Sequence, residues 1–133
     1  MCRRRSSVVA AAKSSWNAYE TFSMGYDELK PQSRVGSNAF GGLGATAIDS
    51  LDTLWMLGLK DEFARARAWV ADKLSLTGVR LPAACLVSHM MGHARKASAC
   101  RDYYASVFET TIRILGGLLS AYDLSGDRVF LTR

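Results

Sequence analysis

The sequence contains no apolar run close to the roughly 20 residues needed to span a bilayer. Val8 to Ala12 follows the arginines at positions 3 to 5, but Lys13 cuts it short and leaves no secretory h-region. No targeting signal is visible in the chain. Cysteine is scarce: Cys2, Cys85 and Cys100 are odd in number and lack framework spacing. No convincing strand alternation is present, which argues against a sheet-based class. The net charge of +5 is uneven, gathered in Arg3, Arg4 and Arg5 and again in Arg95, Lys96 and Arg101. Basic residues on one face with stacking aromatics are missing, so no nucleic-acid partner is expected.

What remains is a globular composition. Of 133 residues, 49% are apolar and 10% aromatic, enough for one modest domain with a core. Ser6 to Phe22 predicts a helix with Val8, Val9, Ala12, Trp16 and Tyr19 on one stripe. Gly25 to Pro31 reads as a loop or short turn, with Asp27 and Glu28 free to cap, to bind something or to face water, solvation being the default. Gln32 to Asn38 is polar and loop-like. Phe40-Gly41-Gly42-Leu43-Gly44 matches neither P-loop nor dinucleotide spacing and reads as a compact turn into a helix.

Ala45 to Leu57 is apolar on more than one face and predicts a helix buried on both sides. It nevertheless carries Asp49 and Asp52. Gly58 ends it, and Asp61 to Leu74 follows as an amphipathic helix with Phe63, Ala66, Val70 and Leu74 inward. A buried helix alternating with an amphipathic one predicts layered helical hairpins, an all-α fold.

The clearest periodicity lies in Ser106 to Asp127. Val107, Phe108, Ile112, Leu115, Leu118, Leu119 and Tyr122 recur at helical spacing, and Gly126 supplies stop chemistry. A helix this apolar is expected to be largely buried. Glu109 and Arg113 stand in it one turn apart, on one face. Buried charges are costly unless paired or used, so the pair is structural or functional.

Thr77 to Arg101 departs from this style. Pro82 interrupts it, and it holds both histidines, His89 and His93. Met90 stands where the metalloprotease pattern needs a glutamate. Cys85, His89, His93 and Cys100 make a Cys2His2 set on paper, with a spacing unlike common zinc fingers.

Several segments together resemble one family. They are W-N-A-Y (16–19), G-Y-D-E-L-K-P (25–31), F-G-G-L-G-A-T-A-I-D-S-L-D-T-L-W-M-L-G-L (40–59), E-F-A-R-A-R-A-W-V (62–70) and S-V-F-E-T-T-I-R-I-L-G-G-L-L-S-A-Y-D-L-S-G-D (106–127). These are similar to the class I α-1,2-mannosidases, glycoside hydrolase family 47, with wording closest to the plant and algal Golgi/ER type. The resemblance covers most of the chain outside its first residues and Thr77 to Arg101.

The resemblance implies a fold, an (α/α)7 barrel, of which this chain is the N-terminal part with the first helical hairpins. It also implies an activity: hydrolysis of α-1,2-linked mannose from high-mannose N-glycans, with inversion and a bound calcium ion. Glu109 then stands where the family has its general acid, thought to act through a water. Arg113 lies in the sugar site and Asp49 lines the same cavity, while Asp52 is structural. An inverting glycosidase needs an acid and a second carboxylate that activates water, roughly 6.5–9.5 Å apart.

Departures from the family shape the remaining expectations. The family's catalytic base and its calcium-binding threonine lie beyond the end of this chain, so the chain alone is expected to be inactive. A non-catalytic helical glycan-binding remnant is the alternative. Without later hairpins, inner helices should expose apolar faces. Met24 replaces the usual tryptophan. Between Leu76 and Asp102 stand 25 foreign residues, expected to be an intron read through in a gene model, or else a loop insertion at a hairpin turn. Family members are usually membrane-anchored in the endoplasmic reticulum or Golgi. An anchor is expected in full-length members and is not seen in this chain.

Overall fold

A computed structural model describes residues 3–76 and 106–132. Helix α1 runs over Arg3–Ser23. It is followed by an antiparallel hairpin of β1, Glu28–Lys30, and β2, Val35–Ser37. Next come α2, Ala45–Asp49, α3, Leu51–Leu57, and α4, Lys60–Lys73. The last helical run begins with α5, Val107–Glu109, continues as a π-helical segment, Thr110–Leu115, and ends as α6, Gly116–Ser125. A 3₁₀ turn, Arg128–Leu131, closes it.

The all-α expectation holds, with one correction. The segments read as loops contain a small hairpin, in which Leu29 faces Gly36 across the ladder. Strands of three residues are too short to show alternation. Their pairing is instead supported by the Tyr26 ring, which lies directly against Gly36 and leaves no room for a Cβ there.

The single helix expected over 45–57 is broken at Ser50. The Ser50 hydroxyl donates to the Thr46 carbonyl at 2.6 Å, a back-bond that bends helices. Burial is also less complete than expected. Ile48, Leu51 and Leu54 are buried, while Trp55 and Leu57 keep partial exposure. α4 buries Phe63, Ala66 and Val70 as its pattern requires, and Gly58 caps the end of α3.

The core forms where α2, α3 and α6 meet, with α4 behind them and α1 contributing Trp16 and Tyr19. Phe63 stacks edge-on against both Trp55 and Phe130, a favoured aromatic geometry. Met24 packs against this core. The 106–127 run is not largely buried. Ile114, Leu118 and Ala121 face inward, but Val107, Phe108, Ile112, Leu115 and Leu119 are exposed. Among the described residues nothing covers that apolar side. Residues 77–101, with their cysteines, histidines and Pro82, lie outside the described residues.

Candidate active site

The site is built on a turn that a buried carboxylate holds together. Asp27 was expected to be solvated, yet its side chain has no exposed surface. Its Oδ2 accepts the backbone N–H groups of Phe40 at 2.8 Å and Gly42 at 2.7 Å. Its Oδ1 accepts those of Leu43 at 2.8 Å and Ala45 at 3.2 Å. Four donors replace the water that a buried carboxylate loses, which is why the charge is tolerated there. The Asp27 carbonyl meanwhile accepts from the Thr46 hydroxyl and backbone N–H. One residue therefore shapes the glycine turn and starts α2.

Gly44 enters α2 with φ +69, and the Trp69 indole of α4 sits where its Cβ would be. Both facts require glycine. The turn is thus clamped from beneath by Asp27 and from the side by Trp69, and Phe40 projects from its start.

The second half of the site comes from α5 and the π segment. Ser106 caps α5, its hydroxyl accepting the Glu109 N–H at 3.4 Å. The S-x-x-E pattern is half of a capping box. Glu109 Oε2 is turned along the helix, where it accepts from Arg113 Nε at 2.6 Å. Gly116 N–H reaches back to the Thr111 carbonyl, the five-residue bond of a widened turn. Such π segments often occur at functional sites.

Arg113 joins the two halves. Its Nη1 donates to Asp49 Oδ2 of α2 at 2.9 Å. Its Cζ lies 4.6 Å from the centroid of the Phe40 ring, within cation–π range. The hydrogen bonds it donates to Glu109, then Asp49, push the guanidinium pKa above its ordinary value. Side-chain exposures of 36% for Arg113, 34% for Asp49 and 26% for Glu109 leave the cluster open to a ligand.

All three predicted site residues therefore meet, and the Glu109–Arg113 pair extends to a third member 64 positions from Arg113. Asp52 stands apart, accepting from the Ser120 hydroxyl at 3.0 Å and tying α3 to α6. Phe40 and Asp27 were not singled out from the sequence. Asp27 stands beside Glu28 ahead of a glycine-rich turn, and nothing in the sequence says which of the two acids the turn's N–H groups would take. Cys85, His89, His93 and Cys100 lie outside the described residues. Among the described residues no group of three or more His, Cys, Asp or Glu is placed to hold a metal ion. The two carboxylates of the cluster, Asp49 and Glu109, are both engaged by Arg113 and are too few for a calcium cage.

Residues 11–133 match the model of glycosyl hydrolase family 47. The chain is 45% identical over 131 residues to mannosyl-oligosaccharide 1,2-alpha-mannosidase MNS1 of Arabidopsis thaliana, covering 98% of this chain and 19% of that protein. It is 45% identical over 130 residues to the human endoplasmic reticulum mannosyl-oligosaccharide 1,2-alpha-mannosidase, covering 98% of this chain and 15% of that protein. Among solved structures, an alpha-1,2-mannosidase from Trichoderma reesei superposes with a TM-score of 0.69 at 33% identity, over 98% of this chain and 23% of that one. The chain thus spans less than a quarter of the length of these relatives. With a match running over nearly its whole length and a helical-hairpin structure to go with it, the chain belongs to glycosyl hydrolase family 47.

Proposed function

We propose that this chain is the acid-bearing N-terminal part of a mannosyl-oligosaccharide 1,2-α-mannosidase. Its substrate is terminal α-1,2-linked mannose on high-mannose N-glycans, in the endoplasmic reticulum or Golgi. The carrying observation is the fork in which Arg113 bonds Glu109 and Asp49 together, in a chain 45% identical over 131 residues to a relative of that name.

Glu109 serves as the general acid, protonating the departing oxygen through a water. Arg113 uses two of its five N–H donors on carboxylates, which leaves others for sugar hydroxyls. Asp49 lines the cavity and orients Arg113. Its Oδ2 is engaged by the guanidinium, a poor state for activating water, so the base must be a further carboxylate. The described residues supply no other acid in the cluster, and this chain alone is expected to be inactive. Calcium would supply Lewis-acid and orienting chemistry when bound in the complete enzyme, and no step assigned to these residues runs through it.

The test replaces the matched segment of the Trichoderma reesei enzyme with this chain and measures mannose release from α-1,2-mannobiose with calcium present. The chimera should release β-mannose, the inverted anomer, and Glu109→Gln should lower kcat by about 100-fold or more. An active chimera whose Glu109→Gln variant keeps its rate would remove Glu109 from the acid role. Binding without hydrolysis would favour a glycan-binding remnant.

A further inference from the structure

Resting on that reading of the cluster, we propose that Phe40 is a positioning residue for the sugar site. Its ring, anchored through Asp27, sets the tilt of the Arg113 guanidinium and so aims the N–H groups offered to sugar hydroxyls.

The two carboxylates cannot do this alone. Nε to Glu109 and Nη1 to Asp49 are bonds in or near the guanidinium plane. They hold the group at two points on different sides and leave it able to rock about the line between them. The Phe40 ring makes a contact off that line, with Cζ lying over it 4.6 Å from its centroid. A ring face attracts a cation and favours one tilt over the others.

The ring is itself held. Phe40 packs against the core, and its N–H donates to Asp27 Oδ2 at 2.8 Å. The same carboxylate accepts from Ala45, the first residue of the helix that carries Asp49. A single buried anchor therefore fixes two of the three groups around Arg113. The third, Glu109, approaches from the arginine's own helical run. Side-chain entropy makes an unrestrained arginine expensive to order on binding. An arginine ordered beforehand lowers that cost, so Phe40 should act on substrate binding more than on the chemical step.

The experiment has two readouts. In the full 133-residue chain, ¹⁵N NMR follows the Arg113 Nε–H. The wild-type signal should carry a ring-current shift and be slow to exchange with water. Phe40→Leu should abolish both. Replacing Phe40 with pentafluorophenylalanine keeps the volume and reverses the ring quadrupole. It should speed exchange in a chain that still folds, so the test survives if the leucine variant does not fold. In the Trichoderma chimera either change should raise KM for α-1,2-mannobiose about threefold to tenfold with kcat within about twofold, and Phe40→Tyr should restore it. Arg113 signals unaffected by either substitution, or a loss confined to kcat, would overturn the proposal. A Glu109→Gln chimera that keeps its rate would instead strike the acid role of Glu109 and leave the Phe40–Arg113 coupling standing.

Discussion

Gly117 lies flat against Ile48. A Cβ built on Gly117 would stand 2.8 Å from the Ile48 Cγ2 and 3.1 Å from its carbonyl oxygen. That contact sets how closely α6 approaches α2, and the residue after Ile48 is Asp49. One helical turn before Gly117 is Arg113, so the approach of the two helices is also the approach of two site residues.

Gly117→Ala should therefore destabilise the chain, by about 1–3 kcal/mol as overpacking does. It should also lengthen the Asp49–Arg113 bond. Gly116 is the internal control: a Cβ there meets only the Thr111 carbonyl, at 3.6 Å. Gly116→Ala should be neutral or stabilise by up to about 1 kcal/mol through helix propensity. Urea unfolding of the two variants separates packing from propensity, and equal effects would refute the close-approach argument.

Asp27 makes a second prediction. Asp27→Ala strips four backbone N–H groups of their acceptor in a place water does not reach. Buried donors left unpaired cost about 1–3 kcal/mol each. Even with relaxation the loss should be about 3 kcal/mol or more. Asp27→Asn keeps one oxygen and should fall between wild type and alanine. Hydrogen exchange at Phe40, Gly42, Leu43 and Ala45 would show it directly, since those amides should lose protection before the rest of the core.

These two residues mark where sequence reading ran out. Helix periods placed Phe63, Ala66 and Val70 correctly because each is decided by neighbours one turn away. The Glu109–Arg113 pair was legible for the same reason. Asp49 joined it through family likeness, since the 64-position separation from Arg113 carries no local signal. Asp27 was misread because its partners are backbone N–H groups, which every residue has and no sequence pattern displays. The exposed faces of Phe108, Ile112 and Leu115 show the complementary limit. Periodicity says that a stripe wants burial, and says nothing of whether a neighbour is there to provide it.

Tyr19 should make the fold sensitive to alkali. Its hydroxyl donates to the Tyr26 carbonyl at 2.6 Å and accepts the Gly25 N–H at 3.2 Å. Burial is the main reason that its pKa is pushed up from 10.0 to about 12. A raised pKa means that the folded chain holds this proton more tightly than the unfolded one. Stability is then full below pH 10 and declines as pH rises from 10 towards 12. Tyr19→Phe should flatten that decline while losing the two hydrogen bonds at every pH. Fluorescence-monitored unfolding at pH 8, 10 and 11 would test it. A Tyr19→Phe chain that loses stability just as steeply over this range would point to other groups.

At the acid end the sensitive group is Glu62, buried on α4 and bonded to Lys13 of α1 at 3.0 Å, with Arg65 at 3.7 Å. The hydrogen bond from Lys13, more than any other contact, holds its pKa below the ordinary 4.5. The sign is opposite to that of Tyr19. The unfolded chain binds this proton first, so stability is present above pH 4.5 and is lost as pH falls through the folded pKa. Glu62→Gln should remove that part of the acid limb. Lys13→Met should be the more damaging change near neutral pH, because it leaves a buried carboxylate with only the longer Arg65 contact, whereas Gln carries no charge to strand. If the two variants prove equally stable at pH 7, the Lys13–Glu62 bridge is a solvated surface pair, and α1 is held by Trp16 and Tyr19 in the core and by the Glu20–Arg65 pair.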